Sequence, residues 1–125
     1  MVNGTRVLIT GASGLLGRYL MRGSPSVYNV RGTWHYHELA DGYALDLSRQ
    51  SSVDDVFDDF QPSVVIHCAA LGSVDYCERH FLEAYDINVR GTQRILKASK
   101  RYHAKVVFIS SNAVFAGTCP PYKED

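Results

Sequence analysis

Little in this sequence is extreme, and each scarcity removes a class of answer. Neither sign of charge is in excess: 13 Lys and Arg stand against 13 Asp and Glu. That balance removes the electrostatic case for nucleic acid or an anionic membrane as the main partner. No apolar run approaches the roughly 18–20 residues needed to cross a bilayer. Gly11, Ser13, Gly14 and Gly17 interrupt the apolar stretch that a secretory signal would need near the N-terminus. Cysteine is scarce. Cys68, Cys77 and Cys119 make an odd number with no C-x-x-C pair, the pattern of free thiols in a reducing compartment, so a cytoplasmic location is expected. His35 and His37 lack a third ligand at suitable spacing, and Cys77-x-x-His80 is equally thin, so no metal site is expected. Internal repeats and low-complexity segments are absent too.

What is present is 46% hydrophobic and 21% charged residues in a chain of 125. That is the balance and size of one globular domain, too apolar for a disordered chain. A chain of this length buries somewhat over 60% of its unfolded surface. Its apolar residues come in an ordered series. Residues 6–10 form a short β-branched run that ends at Gly11 and reads as a buried strand. From Leu15 to Met21 the apolar positions fall at helical spacing, and Gly23, Ser24 and Pro25 break the helix. A second strand is expected at 27–34, and a brief third at 43–45 after Gly42. Residues 48–60 read as a helix with Val53, Val56, Phe57 and Phe60 on one face, Ser51 or Ser52 as its cap, and Asp54 and Asp55 near the positive end of its dipole. The run 64–70 is nearly unbroken in apolar character, as a central parallel strand should be. A long helical stretch in two parts follows over 74–102, then a buried strand over 105–109, then an irregular tail. Alternation of strands and helices, with strands apolar on both faces, predicts a Rossmann-type, doubly wound α/β fold with a parallel sheet.

The first strand–helix junction carries the chemistry. Thr10-Gly11-Ala12-Ser13-Gly14-Leu15-Leu16-Gly17 spaces its glycines G-x-x-G-x-x-G. Gly11 permits the tight turn off the strand, Gly14 lets a pyrophosphate approach the main chain, and Gly17 lets the helix lie close. Free N–H groups and the helix dipole then hold the anion. No Gly-Lys-Ser/Thr follows, so this is not a Walker loop. A dinucleotide is the expected ligand.

With that loop in place, the chain resembles the extended branch of the short-chain dehydrogenase/reductase superfamily. The resemblance rests on the glycine spacing, on Asp46-Leu47, on His67-Cys68-Ala69-Ala70, on Asn88-Val89-x-Gly91-Thr92 and on Phe108-Ile109-Ser110-Ser111-Asn112-x-Val114-Phe115. Within the branch, Ala69-Ala70-Leu71-Gly72-Ser73-Val74-Asp75 and Val114-Phe115-Ala116-Gly117-Thr118 with Pro121-Tyr122-x-Glu124-Asp125 are similar to dTDP-4-dehydrorhamnose reductases. The regulatory subunit of methionine adenosyltransferase resembles the same segments. Together these imply cofactor contacts from Gly11, Ser13, Gly14, Leu15, Leu16, Gly17, Asp46, Leu47, Ala69, Ala70 and Leu71, with Asn88 bracing the active-site strands. They also imply a catalytic hydroxyl at Ser111.

Plainer roles stand beside several of these. Ser111 is a strand-end serine able to satisfy loop backbone, and Asn112 either touches substrate or shapes the turn. Asp46 either accepts from the adenine amino group or caps a helix with Ser48. Asn88 is otherwise an exposed polar residue, and His67 reads as a buried, hydrogen-bonded histidine rather than a base. Discrimination between NAD(H) and NADP(H) belongs at the end of the second strand, where an acid would pair with the ribose 2′-OH. That end reads Gly32-Thr33-Trp34-His35-Tyr36-His37, with Glu38 late. His35 or Arg31 could meet a 2′-phosphate, so NADP is the expected cofactor and NAD its competitor.

These enzymes also use a Tyr-x-x-x-Lys pair, because a tyrosine near pKa 10 is a poor acid–base catalyst without a nearby cation. Seven of the eight tyrosines lack Lys four positions on, and Tyr122 is too near the end. The expectation is therefore that residues 1–125 are an NAD(P)-binding domain truncated before that pair and before the substrate domain, without reductase activity alone. Three readings compete. One is part of a reductase of a nucleotide-linked keto sugar, with an epimerase or dehydratase as its close variant. A second is a dinucleotide-binding regulatory subunit, and a third is an α/β fold with no cofactor. Apolar surface left by the truncation makes a homo-oligomer possible.

Overall fold

In the computed structural model, which describes residues 4–123, the strands β1 (Arg6–Thr10), β2 (Asn29–Trp34), β3 (Tyr43–Ala44), β4 (Val64–His67) and β5 (Lys105–Phe108) are joined by helices. These are α1 (Leu15–Gly23), α2 (Gln50–Phe60), α3 (Val74–Arg79), α4 (Phe81–Tyr85) and α5 (Gly91–Arg101), with a π-helical turn at Asp86–Arg90 and a 3₁₀ turn at Asn112–Val114. All strand pairs are parallel, in the order β3-β2-β1-β4-β5. Leu8 sits opposite Arg31 on one side and Val65 on the other, so β1 lies at the centre. The chain leaves β1 toward β2 on one side and later returns to β4 on the other. The loops after β1 and β4 therefore part at this switch point, where such sheets hold ligands.

Strand alternation sorts the core into two layers. Leu8 and Val65 point to one face, where α2 supplies Val53, Val56, Phe57 and Phe60 and α5 supplies Ile95 and Ala98. Val7 and Ile9 point to the other face, against Leu20 and Met21 of α1. Fully burying an aromatic or branched side chain stabilises by about 1.5–3 kcal/mol, so the α2/α5 layer is the main adhesive. The helices on both faces make the sheet doubly wound, as expected.

Several expected boundaries move. β2 begins at Asn29 rather than 27, because the turn Tyr28 N–H to Pro25 O (3.1 Å) still occupies the earlier residues. α2 begins at Gln50, and neither Ser51 nor Ser52 caps it; the Ser52 hydroxyl instead accepts the Asp46 N–H at 2.9 Å. Asp54 and Asp55 consequently lie beyond its first turn. α2 stops where Gln61 takes a left-handed φ of 49° and returns its N–H to Phe57 O (2.8 Å), with Pro62 next. β4 ends at His67 rather than 70, because the residues after it turn into the cleft. The long helix of 74–102 is broken once, at His80, into the two parts expected; the π-turn at 86–90 lies within the second part, where the backbone stays helical from Phe81 to Arg101. β5 is the largest departure. It was expected to be buried, yet Val107 and Phe108 are 42% and 57% exposed, because β5 is an edge strand paired only with β4. No helix among the described residues is long and apolar enough to cross a membrane.

Candidate functional site

The cleft begins where β1 ends. Gly11 has φ +66°, and a Cβ there would fall 2.7 Å from Ala69 Cα, so both conformation and space demand glycine. The turn is pinned to β2: Thr33 Oγ1 accepts the Gly11 N–H (3.3 Å) and Thr33 O accepts the Ala12 N–H (2.8 Å). Gly17 is fixed by packing, since a Cβ would lie 2.4 Å from Gly11 O. Gly14 differs. Its φ of −76° suits any residue, and a Cβ would meet only Gly11 O, at 3.3 Å. A side chain at 14 would press on that one carbonyl, a milder clash than at 11 or 17, and the space above it is open main chain of the kind a phosphate needs. The Arg18 N–H to Gly14 O bond (3.0 Å) closes the first turn of α1. The N–H groups of Leu15 and Leu16, ahead of it, have no helical carbonyl and are available to an anion.

Three further segments complete the walls. Thr33 and Trp34 end β2 and His35 to His37 follow it, with the His35 and Tyr36 rings edge to face at 4.3 Å. Leu45 and Leu47 follow β3, and Cys68 to Leu71 follow β4, opposite Glu83 and Ile87. This is one cleft along the carboxyl ends of four parallel strands, with a glycine-lined anion cradle at its floor and apolar walls. A family model described as the RmlD substrate binding domain matches residues 5–125.

The chain belongs to this family. Methionine adenosyltransferase 2 subunit beta of Bos taurus is 36% identical over 128 residues, covering 96% of this chain and 36% of that protein. The dTDP-4-dehydrorhamnose reductase of Aggregatibacter actinomycetemcomitans is 40% identical over 113 residues, covering 90% and 36% respectively. The structure of dTDP-4-dehydrorhamnose reductase from Bacillus anthracis str. Ames, in complex with NADP, superposes with a TM-score of 0.82 at 36% identity, over 94% of this chain and 40% of that one. The chain thus spans about a third of the length of the curated relatives it matches. The likeness to dTDP-4-dehydrorhamnose reductases read from the motifs is borne out, and the methionine adenosyltransferase subunit stands among the relatives as well.

Within this RmlD-family chain, Gly11, Ser13, Gly14, His35, Leu47, Ala69, Ala70 and Leu71 are brought together around the cleft. Other residues singled out from the sequence lie outside its lining. The Leu15 and Leu16 side chains face solvent, leaving only their N–H groups to contribute. Gly17 is buried beneath the turn. Asp46 points its carboxylate back to Ser48, whose N–H and hydroxyl donate to Oδ1 at 2.9 and 2.6 Å. Those bonds hold the Asp46 carboxyl below its ordinary pKa, with the Ser48 hydroxyl the largest cause. Asn88 braces the wall rather than lining it: its Oδ1 accepts the Leu71 N–H (2.8 Å) and its Nδ2 donates to Leu71 O (3.1 Å).

Ser111 and Asn112 lie beyond the cleft in the exposed segment after β5. The Ser111 hydroxyl accepts the Ala113 N–H at 3.1 Å and caps the short 3₁₀ turn that begins at Asn112. Glu124 and Asp125, part of the similarity motif, lie outside the described residues.

Sequence reasoning missed Trp34, Tyr36, His37, Leu45, Cys68, Glu83 and Ile87 as lining residues. The strand-end positions of the first five were a usable signal. Glu83 and Ile87 share a helical face four residues apart, but nothing local says which face meets the cleft. Burial raises the Cys68 thiol above its ordinary pKa, so it remains a protonated wall residue rather than a nucleophile.

Proposed function

We propose that this chain is the dinucleotide-binding part of an NAD(P)-dependent oxidoreductase that reduces a nucleotide-linked keto sugar, in the manner of dTDP-4-dehydrorhamnose reductases. The observation that carries the reading is Gly14: neither its φ nor a severe clash fixes glycine there, while a diphosphate lying on the main chain would leave no room for a side chain. The N–H groups of Ser13, Leu15 and Leu16 would hold that diphosphate, Leu45, Leu47 and Ile87 would flank an apolar ring, and Ala69–Leu71 would leave room beside the ribose. When bound, the nicotinamide supplies hydride transfer, which no side chain performs. NADP(H) is the preferred form, because His35 lines the cleft where β2 ends and no carboxylate stands in the segment 32–37; the Bacillus anthracis relative is a complex with NADP. In this reading Ser111 serves catalysis and Asn112 substrate. Residues 1–125 form the NAD(P)-binding domain, at work in the cytoplasm.

A regulatory role favours itself on one observation. Methionine adenosyltransferase 2 subunit beta is similar over nearly the whole chain. Binding without turnover is therefore expected of these 125 residues by themselves.

The test is titration with NADPH and NADH followed by nucleotide fluorescence. Binding of NADPH tighter than NADH, lost in Gly14→Val while the melting temperature holds, supports the reading. Absence of binding at millimolar nucleotide sinks it, and a clear NADH preference overturns the cofactor assignment. Turnover of a keto sugar by the isolated chain would exclude the regulatory role.

A further inference from the structure

His67 is a buried titratable side chain, 3% exposed, that the proposed function does not use. Its ring sits between two hydroxyls: Nδ1 is 2.7 Å from Thr10 Oγ1 and Nε2 is 3.1 Å from Thr92 Oγ1. The neighbouring bonds point to one assignment of donors and acceptors. The Thr92 hydroxyl donates to Asn88 O at 2.7 Å, so toward His67 it accepts, and Nε2 carries the proton. Nδ1 is then an acceptor, and the Thr10 hydroxyl donates to it. Thr10 Oγ1 in turn accepts the Ala69 N–H at 3.2 Å. Donation therefore runs one way, from the Ala69 N–H through Thr10, His67 and Thr92 to the carbonyl of Asn88. The Asn88 side chain closes the path on Leu71 from the other end. Asn88 lies in the π-turn, where the Gly91 N–H reaches back to Asp86 O.

We propose that His67 is a positioning residue for the dinucleotide cleft: as the neutral Nε2–H tautomer it is the strut of a closed hydrogen-bond circuit that fixes Ala69–Leu71 against the π-turn at Asn88. The inference rests on the dinucleotide reading for its consequence but not for its geometry. Both ends of the wall segment answer to one residue, Asn88, once directly and once through three side chains. Breaking the circuit at Thr92 unpairs the His67 Nε2–H and leaves Ala69 held only through a Thr10–His67 pair that is no longer anchored at Asn88, and Ala69 is the residue against which Gly11 packs. Donor and acceptor roles along a buried chain are fixed together, so one missing hydroxyl unpairs its neighbours as well.

The experiment uses Thr92, which touches the ring but does not line the cleft. In unliganded protein at pH 7, ¹⁵N imidazole spectra should show His67 with the proton on Nε2. Thr92→Val should speed exchange of the Ala69 and Leu71 amides and weaken NADPH binding, each by about tenfold. Thr92→Ser, which keeps the hydroxyl, should restore both. All variants are compared at a temperature where circular dichroism reports them folded. An Nδ1–H tautomer, or Thr92→Val with unchanged exchange and affinity, overturns the strut. If the unaltered chain binds no NADPH, the dinucleotide reading falls, while tautomer and amide exchange still decide the circuit.

Discussion

The two faces of the sheet are built from the same strands and comparable residues, yet they differ in cover. On the α2/α5 face, Leu8, Val53, Phe57, Val65, Ile95 and Ala98 are wholly buried, and exposure returns at Phe108 of the edge strand β5. On the α1 face burial fades along the sheet. Val7 and Ile9 of β1 are buried, Val64 and Ile66 of β4 are half-buried, and Val107 of β5 is exposed. Two helices span the first face and one short helix serves the second. A strand's apolar pattern reports that a face wants burial; only the neighbouring helix determines whether it gets it.

The contrast makes ordered predictions. Phe57→Ala should have the largest effect, a loss of about 3–5 kcal/mol in denaturant unfolding, because the site is sealed between α2 and the sheet. Loss below 1 kcal/mol would mean that the covered face is looser than its burial implies. Acid should come next. His67 also lies on the covered face, among Thr10, Thr92 and the Phe108 ring (6.1 Å away), none of them ionisable. Desolvation lowers its pKa from 6.5 to about 4. The unfolded chain then binds the extra proton first, so this stability is fully present above pH 6.5 and is lost as pH falls toward 4. At about 1.4 kcal/mol per pH unit the loss reaches roughly 3 kcal/mol. It is measured as the difference in pH dependence between the unaltered chain and His67→Gln, which does not titrate; parallel curves would show that the ring is already solvated. The smallest effect belongs to the open face: Val107→Ser should change unfolding stability by no more than about 0.5 kcal/mol. A larger loss would show that the exposed strand is covered in solution.

The same contrast explains what could be read in advance. The helix faces of α2 and the glycine loop were legible because their signals are local: a 3.6-residue stripe in one case, and missing side chains at fixed offsets in the other. The burial of β5 was misjudged because Val106, Val107 and Phe108 are as apolar as Val64, Val65 and Ile66, and edge position is not a property of the segment. Asp46 and Ser111 were chosen for their chemistry. In the structure both turn that chemistry on their own backbone and on Ser48, which the sequence offered as the plainer role. His67 was read as a buried, hydrogen-bonded histidine, and it is one, but its partners stand 57 and 25 residues away in sequence.

Sequence alone determined the order of strands and helices, the parallel sheet and the turn at Gly11 to Gly17, because periodicity and the absence of a Cβ act over a few neighbouring residues. Tertiary structure decided which face is covered, that Glu83 and Ile87 meet the cleft, and that Thr10, His67, Thr92 and Asn88 form one circuit. Those facts depend on distances between segments far apart in the chain, which packing sets and local preference does not encode.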